Sequence, residues 1–314
     1  MSNFWKKLPK PFFVLAPMEN VTDFAFREVV ATELPKPDVL FTEFTNVEAL
    51  TSKGYEKTIP RFKFSKNQRP IVAQIWGNKP ELFYKVAQMV QKLGFDGIDI
   101  NMGCPDRTVV KNGGGAGMIN TPSLAKEVIE AVKKGAKKLP ISVKTRIGVK
   151  EIVTEKWITF LLEQKIDTLT IHGRTARQMS EGLANWEEIS KAVKIRDRVA
   201  PNTLIIGNGD VKDYSEAIEK VQKHGLDGIM IARGIFANPW IFEPIRTQHS
   251  KQEYIKVLLK HLDLYEKEHG LKRGLDPMKK FFKMYINNFP GASKLRQKLM
   301  LSKTYAEVRE ILVI

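Results

Sequence analysis

Hydrophobic residues along this chain follow two rhythms. Short runs rich in β-branched residues recur up to about residue 242: FFVLAPM (12–18), VLFTE (39–43), PIVAQIWG (70–77), GIDINMG (97–103), ISVKTRIG (141–148), TLTIHGRT (168–175), TLIIGNGD (203–210) and GIMIARG (228–234). Such runs suit strands covered on both faces, as in a parallel sheet. Between several of them the spacing changes to the helical period. In ELFYKVAQMVQKLG (81–94), Leu82, Val86 and Val90 stand four apart, and Gly94 supplies a C-terminal stop. In TPSLAKEVIEAVKKG (121–135), Thr121 is placed as an N-cap and Pro122 as the first helical residue, with Leu124, Val128 and Val132 on one face. DYSEAIEKVQKHG (213–225) reads as a shorter helix ending at Gly225. The pattern is weakest after the first run, where Pro35 and Pro37 intervene, and from Phe44 to Arg69.

Eight strand–helix units in this span predict an α/β fold, a (β/α)8 TIM barrel. An open doubly wound sheet is the alternative. It fits less well, because the regular units fill the span and leave no second domain inside it. After Glu243 the strand rhythm stops. IKVLLKHLDLYEKEHG, MKKFFKMYINNF and SKLRQKLMLSKTYAEVREIL read as helices, the last as one or two. The expected organisation is a barrel over residues 1–243 and a small all-helical C-terminal domain over 244–314.

Composition narrows the function classes. The hydrophobic fraction of 43% and charged fraction of 27% are those of an ordinary globular chain. No apolar run approaches the ~18 residues of a membrane span. The start, MSNFWKKLPKPFFVLAPM, is broken by Pro9, Pro11 and Pro17 and lacks a signal peptide's apolar run, so a cytoplasmic location is expected. A single cysteine forms no internal disulfide, which fits a reducing compartment. The net charge of +16 points to a polyanionic partner. From Ile245 to Ile314 there are 15 Lys and Arg against 7 Asp and Glu, a net of +8, so half the excess sits in the helical tail.

In a barrel of this type, chemistry gathers at the C-terminal strand ends. Here those ends carry Met18, Glu43, Gln74, Asn101, Lys144, His172 with Arg174, Asn208 with Asp210, and Arg233. One such residue would be a solvated strand end; eight converging on one rim point to a binding site. GNGD (207–210) and ARG (232–234) follow the seventh and eighth strands, where phosphate sites form in this fold. Gly207, Gly209 and Gly234 are expected to let the backbone approach an oxyanion that Arg233 neutralises. Lys144 inside a strand needs an anionic or carbonyl-bearing partner. No HxxxH pair, CxxC or carboxylate cluster suggests a metal. Cys104, the lone thiol, would by default fill a small apolar hole. Its place in NMGCPDRTVVKNGGGAG (101–117), after a strand and before glycines, argues for more.

The blocks APMENVTDFAFR (16–27), NMGCPDRTVVKNGGGAG (101–117), SVKTRIG (142–148), TIHGRT (170–175), GNGD (207–210) and IARGIFANPWIF (231–242) resemble the tRNA-dihydrouridine synthases. KKFFKMYINNFPGASKLRQ (279–297) is similar to that family's C-terminal tRNA-binding domain. The resemblance implies an FMN-bound barrel that reduces the C5–C6 double bond of particular uridines in tRNA, with NADPH (or NADH) as electron donor. It implies that Ala16, Pro17 and Met18 meet the flavin ring, that Gln74 and Lys144 bond its polar edge, and that His172 helps hold it. Asn208, Gly209, Asp210, Ala232 and Arg233 would hold the ribityl phosphate end. Asn101, Arg107 and Arg174 would contact the substrate, and the glycines at 113–115 would let the loop bend over it. Cys104 would be the general acid, giving a proton to C5 as hydride reaches C6; a thiol with its ordinary pKa of about 8.5 is protonated at neutral pH and able to donate. Arg107 and Ala232 depart from the Lys and Gly that many members carry. The expected partner is tRNA, with no membrane and no metal, and the protein is expected to be a monomer. Two readings compete. An FMN barrel of the dihydroorotate dehydrogenase kind, acting on a free small molecule, would not need the basic tail. An RNA-binding protein on an inactive barrel would carry no flavin.

Overall fold

The computed structural model describes residues 3–245, 247–270 and 273–312. Nine strands form one parallel sheet: β1 (Phe12–Leu15), β2 (Leu40–Phe41), β3 (Thr45–Asn46), β4 (Ile71–Trp76), β5 (Gly97–Met102), β6 (Ile141–Arg146), β7 (Thr168–His172), β8 (Leu204–Asn208) and β9 (Gly228–Ile231). All eight sequence-predicted runs contain a strand. β3 is an addition in the stretch where the pattern was weakest; it pairs with the C-terminal end of β4 at the rim. The order β1-β9-β8-β7-β6-β5-β4-β2 comes round on itself through the bridge Val14–Val39. The result is a TIM barrel with helices around it.

The intervening helices form where periodicity placed them. The helix Pro80–Lys92 buries Phe83, Val86, Ala87 and Val90, and Gly94 follows it with φ +79°. The helix Pro122–Gly135 starts at its proline and buries Val128 and Val132, although the Thr121 side chain makes no capping bond. Asp213 caps the helix Tyr214–His224, and Gly225 ends it in the left-handed region.

Strand alternation sends one set of side chains outward to the helices and the other into the barrel. The outward set, including Ile98, Ile100, Val143, Leu169, Ile171, Ile205 and Ile229, joins the main core with the helix faces. The inward set is split. Phe12, Val14, Ala16, Phe41, Leu204, Ile206 and Met230 pack as a second apolar core with Trp5. Gln74, Asp99 and Ser142 occupy one register layer with Thr168, and Asn101, Lys144 and Thr170 the next.

After the barrel come the helices Lys251–His269, Lys279–Tyr285, Ala292–Leu301 and Tyr305–Leu312. The first begins four residues before the apolar pattern does, because Ser250 and Glu253 form a reciprocal capping box. Phe281, Phe282 and Tyr285 are fully buried; Phe281 stacks on Phe26 of the first barrel helix at 5.2 Å. Their helical spacing therefore serves packing. Lys63–Glu268 (2.6 Å) and His269–Asp23 (3.4 Å) also join the tail helices to the barrel. No helix among the described residues is long and apolar enough to cross a membrane.

Candidate active site

Cys104 lies just past β5, on a turn held from several directions. Asn101 Oδ1 accepts the N–H groups of Gly103 (3.0 Å) and Cys104 (2.9 Å). Arg146, at the end of β6, donates its Nε–H to the Gly103 carbonyl (2.8 Å), and Ala116 N–H donates to the Cys104 carbonyl (3.0 Å). Another Arg146 nitrogen donates to the Thr175 and Met179 carbonyls, so one guanidinium ties the cysteine turn to the loop after β7. The Cys104 side chain is half-buried. Burial pushes the thiol pKa above its ordinary value, outweighing a backbone hydrogen bond at Asp106 and the Arg146 and Lys144 charges. The group is therefore a thiol, not a thiolate, at neutral pH.

The glycine run also serves close packing. Gly115 has φ +52°, and a Cβ there would stand 2.8 Å from the Cys104 carbonyl oxygen and 2.9 Å from Cys104 Cβ. A Cβ on Gly117 would meet the Val110 carbonyl oxygen at 2.6 Å. Gly115 thus lets the chain pack tightly against the cysteine turn, and Gly117 against the short helix that follows it. Gly207 and Gly234 are likewise packing positions: a Cβ would meet the Trp186 ring at 2.6 Å in the first case and Val211 O at 2.6 Å in the second. Gly209, with φ +130°, is the member of that trio whose backbone requires glycine.

Behind Asn101 runs a buried polar chain. Asn101 Nδ2 donates to Gln74 Oε1 (3.0 Å), and Gln74 Nε2 donates to Asp99 Oδ2 (2.7 Å). Ser142 Oγ donates to the other Asp99 oxygen (2.5 Å). Burial, opposed by these two hydrogen bonds and by Lys144, lifts the Asp99 pKa to about 6. Gln74 and Asn101 are thus engaged with protein groups, but each amide NH2 has a second hydrogen.

A second group of polar residues is cationic. The Lys144 ammonium makes no hydrogen bond or ion pair among the described residues; burial and then Arg146 push its pKa down to about 8, against the pull of Asp99 and Cys104. His172 is held neutral, its pKa pushed down to about 2 by burial and then by Lys144, Arg146, Arg174 and Arg233. Arg174 faces His172 Nε2 at 3.1 Å. An arginine only donates, so Nε2 accepts and the ring proton sits on Nδ1, as a donor. Arg174 itself, expected at the substrate, is buried: it donates to the Glu181 and Gly182 carbonyls and to Asp210. Asp210 Oδ2 also accepts Ala184 N–H (2.8 Å), so that oxygen is committed to the protein. Asn208 Nδ2 donates to the Met230 carbonyl (2.8 Å). Arg233 is exposed, with its nearest carboxylate, Asp210, at 3.9 Å.

The remaining expected residues take these places. Ala16 and Pro17 are buried at the end of β1; Met18 is half-buried, its N–H bonded to Thr22 Oγ1 (2.9 Å). Ala232 is half-buried just after β9, and Arg107 is exposed at the start of the helix Arg107–Lys111, which Asp106 caps. Asp99, Ser142 and Arg146 were not singled out from the sequence. Their signal was present in the period of two: Asp99-x-Asn101, Ser142-x-Lys144-x-Arg146 and Thr168-x-Thr170-x-His172 each place polar residues on one strand face.

The structure itself supplies a test of ligand fit. Thr168 and Thr170 hydroxyls are buried without a hydrogen-bond partner. With an unpaired Lys144 ammonium, a donor on His172 Nδ1 and an exposed Arg233, Thr170, the upper of the two, makes a donor-rich mouth with more positive than negative charge. Such a set fits a ligand with carbonyl oxygens along one edge and an anionic group at one end. No cluster of metal-binding side chains occurs among the described residues. On the tail helices, Lys279, Phe282, Lys283, Ser293, Arg296, Gln297, Met300 and Leu301 line a groove of about 690 Å³.

The chain matches the family model described as Dihydrouridine synthase (Dus) over residues 14–313. It is 48% identical to a Bacillus subtilis (strain 168) protein named Probable tRNA-dihydrouridine synthase 2, the match covering 99% of this chain and 95% of that one. It is 46% identical to the Staphylococcus aureus (strain COL) Probable tRNA-dihydrouridine synthase, over 99% of this chain and 94% of that one. Among solved structures, morphinone reductase in complex with tetrahydroNAD shares the fold at TM-score 0.53 and 13% identity, covering 77% of this chain and 89% of that one. A 2-naphthoyl-CoA reductase complex does so at TM-score 0.56 and 9% identity, covering 74% of this chain and 49% of that one. At those identities the likeness concerns the barrel alone. Sequence identity over nearly the whole chain and the family match agree: this protein belongs to the dihydrouridine synthase family.

Proposed function

We infer that this protein is a flavin-dependent oxidoreductase that converts uridines of tRNA to 5,6-dihydrouridine, and we propose FMN as its flavin and NADPH as its reductant. The observation that carries the reading is the pairing of a protonated, half-buried thiol with an unpaired lysine at one barrel mouth, in a chain of this family. Bound there, the flavin supplies the hydride chemistry that the side chains lack.

The chain's own residues do the rest. Lys144, Gln74 and the His172 Nδ1–H would hold carbonyl oxygens of the cofactor, and Lys144 would offset negative charge at its edge. Arg233, with the backbone around Gly209, would take its phosphate. Arg174, Asp210 and Asn208 shape that end by holding the loops that line it. Cys104 Sγ–H gives its proton to uracil C5; a general acid so placed contributes about 10²–10⁴-fold to rate. A raised thiol pKa is the useful direction for this role, because a thiolate has no proton to give. Asn101 and Arg107 border the place of the base. A uridine within folded tRNA must be turned out to reach this depth, and the tail cations hold the phosphate backbone without reading sequence. Tail carboxylates are largely occupied: Asp263 and Glu266 pair with Arg309, Glu268 with Lys63 and Asp276 with Lys279, whereas Lys283, Lys294, Lys298 and Lys303 have no carboxylate partner among the described residues. Such a surface suits a polyanion better than a free small molecule. Residues 244–314 are proposed as the tRNA-binding domain, and a cytoplasmic location is proposed with it.

The test is to incubate an unmodified tRNA transcript with the protein, FMN and NADPH, and map dihydrouridine. Formation at defined uridines, dependent on both additions, supports the reading. A flavin-loaded protein that oxidises NADPH yet leaves every uridine intact overturns it.

A further inference from the structure

The proposed mechanism does not use Asp99, yet this carboxylate sits fully buried inside the barrel at the far end of the chain that supports Cys104. Side-chain amides are reversible parts: turned over, each exchanges donor for acceptor. The direction of this chain is nevertheless determined at both ends. At the top, the Gly103 and Cys104 N–H groups can only donate, so Asn101 must offer them Oδ1. At the bottom, an ionised carboxylate can only accept, so Gln74 must offer it Nε2. Only then does Gln74 Oε1 face Asn101 Nδ2, as the 3.0 Å contact requires. Ser142 Oγ occupies the other oxygen, and Lys144 lies one register step away on the neighbouring strand.

We propose that Asp99 is a positioning residue: its carboxylate fixes the polarity of the Gln74–Asn101 amide chain and so holds the Cys104 turn in its productive geometry. The same constraint determines which amide hydrogen of Gln74 is left for the cofactor. The idea rests on the functional reading above for its consequence in catalysis, but the chain itself can be tested without it.

Asp99→Asn keeps the volume and removes the compulsion at the lower end, because an amide at this position faces Gln74 with either group; only the Gly103 and Cys104 N–H groups then oppose reversal of the chain. One of the two resulting directions turns Asn101 Nδ2 toward the Cys104 N–H, donor against donor. The measurements, on full-length flavin-loaded protein, are amide hydrogen exchange at Gly103 and Cys104, the flavin absorption spectrum, and kcat and KM for tRNA. In D99N the two amides are expected to exchange about tenfold faster or more. kcat is expected to fall about 10- to 100-fold, as for a reacting group displaced by a fraction of an ångström, with a smaller loss of flavin affinity because reversal also turns the Gln74 amide.

The double variant D99N/N101D reverses the whole chain consistently. The amide introduced at position 99 donates to Gln74 Oε1, and Gln74 Nε2 donates to the carboxylate introduced at position 101. That carboxylate also accepts both backbone N–H groups. The double variant is expected to recover amide protection, which restoration of bulk alone does not achieve. Wild-type exchange and kcat in D99N overturn the proposal, as does a double variant no better protected than the single. Should D99N not fold, the double variant decides: protected amides support the proposal, and failure to fold overturns it. A wild-type protein that forms no dihydrouridine but shows these exchange changes would remove the functional reading and leave the positioning role standing.

Discussion

The barrel interior has two unlike sides. β1, β2, β8 and β9 fill theirs with Phe12, Val14, Ala16, Phe41, Leu204, Ile206 and Met230, and Trp5 packs with them. β4 to β7 carry Gln74, Asp99, Asn101, Ser142, Lys144, Thr168 and Thr170, buried but for half-buried Lys144, while Val72 at the bottom of β4 still belongs to the apolar core. The apolar side needs only shape, because dispersion and burial have no direction. The polar side needs direction at every member, since a buried amide turned the wrong way leaves donors facing donors. One side is a plug that anchors the strands; the other is an oriented wall on which a ligand and a thiol can be held. The two sides should therefore fail differently when altered.

The largest separation is expected at the mouth of the polar wall. Cys104→Ala should lower single-turnover uridine reduction about 10²–10⁴-fold while leaving flavin content, tRNA affinity and thermal unfolding near wild type. Rapid-quench measurement of dihydrouridine checks this, and near-normal single-turnover rates would remove the general-acid role. The opposite pattern is expected in the plug. Phe12→Ala, at a fully buried position among Trp5 and other large side chains, should cost about 3–5 kcal/mol of unfolding free energy. Urea denaturation measures the loss, and turnover per folded molecule should be unchanged.

A smaller effect comes from pH. The folded-state pKa of His172 is pushed down to about 2, from 6.5 in an unfolded chain. Unfolding therefore takes up a proton below pH 6.5, and the stability present above that value is lost as pH falls. From this group alone the loss between neutral pH and pH 5 is about 2 kcal/mol. His172→Gln should flatten that part of the stability–pH curve. Inorganic phosphate or FMN should do so too, because an anion among Lys144, Arg146, Arg174 and Arg233 makes an imidazolium less costly. A curve unaffected by either anion would place the phosphate elsewhere.

The difference between the two sides also explains what the sequence made legible. The plug and the outer core were plain: runs such as FFVL and LIIG declare buried strands by composition, and all eight were found. The rim was legible because Lys144, His172 and Cys104 are out of place in apolar surroundings. The inner layers of the wall were not, since an aspartate in GIDINM reads as a break in an apolar run until the period of two is tracked through three neighbouring strands. Close approach was hidden for another reason. Gly115 and Gly207 are required by atoms far away in sequence or in another element, and no local pattern distinguishes a glycine that bends from one that is pressed. The burial of Arg174 was hidden similarly: a rim arginine and one drawn inward by the Glu181 and Gly182 carbonyls look alike before the loop is seen.

The smallest effect is the most selective probe of the wall. Thr168 and Thr170 lie on β7 one layer apart, both with hydroxyls buried and unbonded. Thr170 shares its layer with Lys144 and Asn101, nearer the mouth; Thr168 pairs in register with Ser142 and Leu204, deeper. A buried hydroxyl without a partner is a small penalty that valine removes, so either substitution should leave the unliganded protein as stable or up to about 1 kcal/mol more stable. Their effects on cofactor should differ. If the wall is a ligand surface, Thr170→Val takes away a donor that the flavin uses and should weaken FMN binding about 3- to 10-fold, the worth of one ordinary hydrogen bond. Thr168→Val, a layer below, should leave FMN affinity unchanged. Fluorescence titration of FMN into the two flavin-free variants measures both numbers. Equal affinities would show that the ligand stops above the Lys144 layer, whereas equal losses would show that it reaches the Asp99 layer and touches the positioning carboxylate itself.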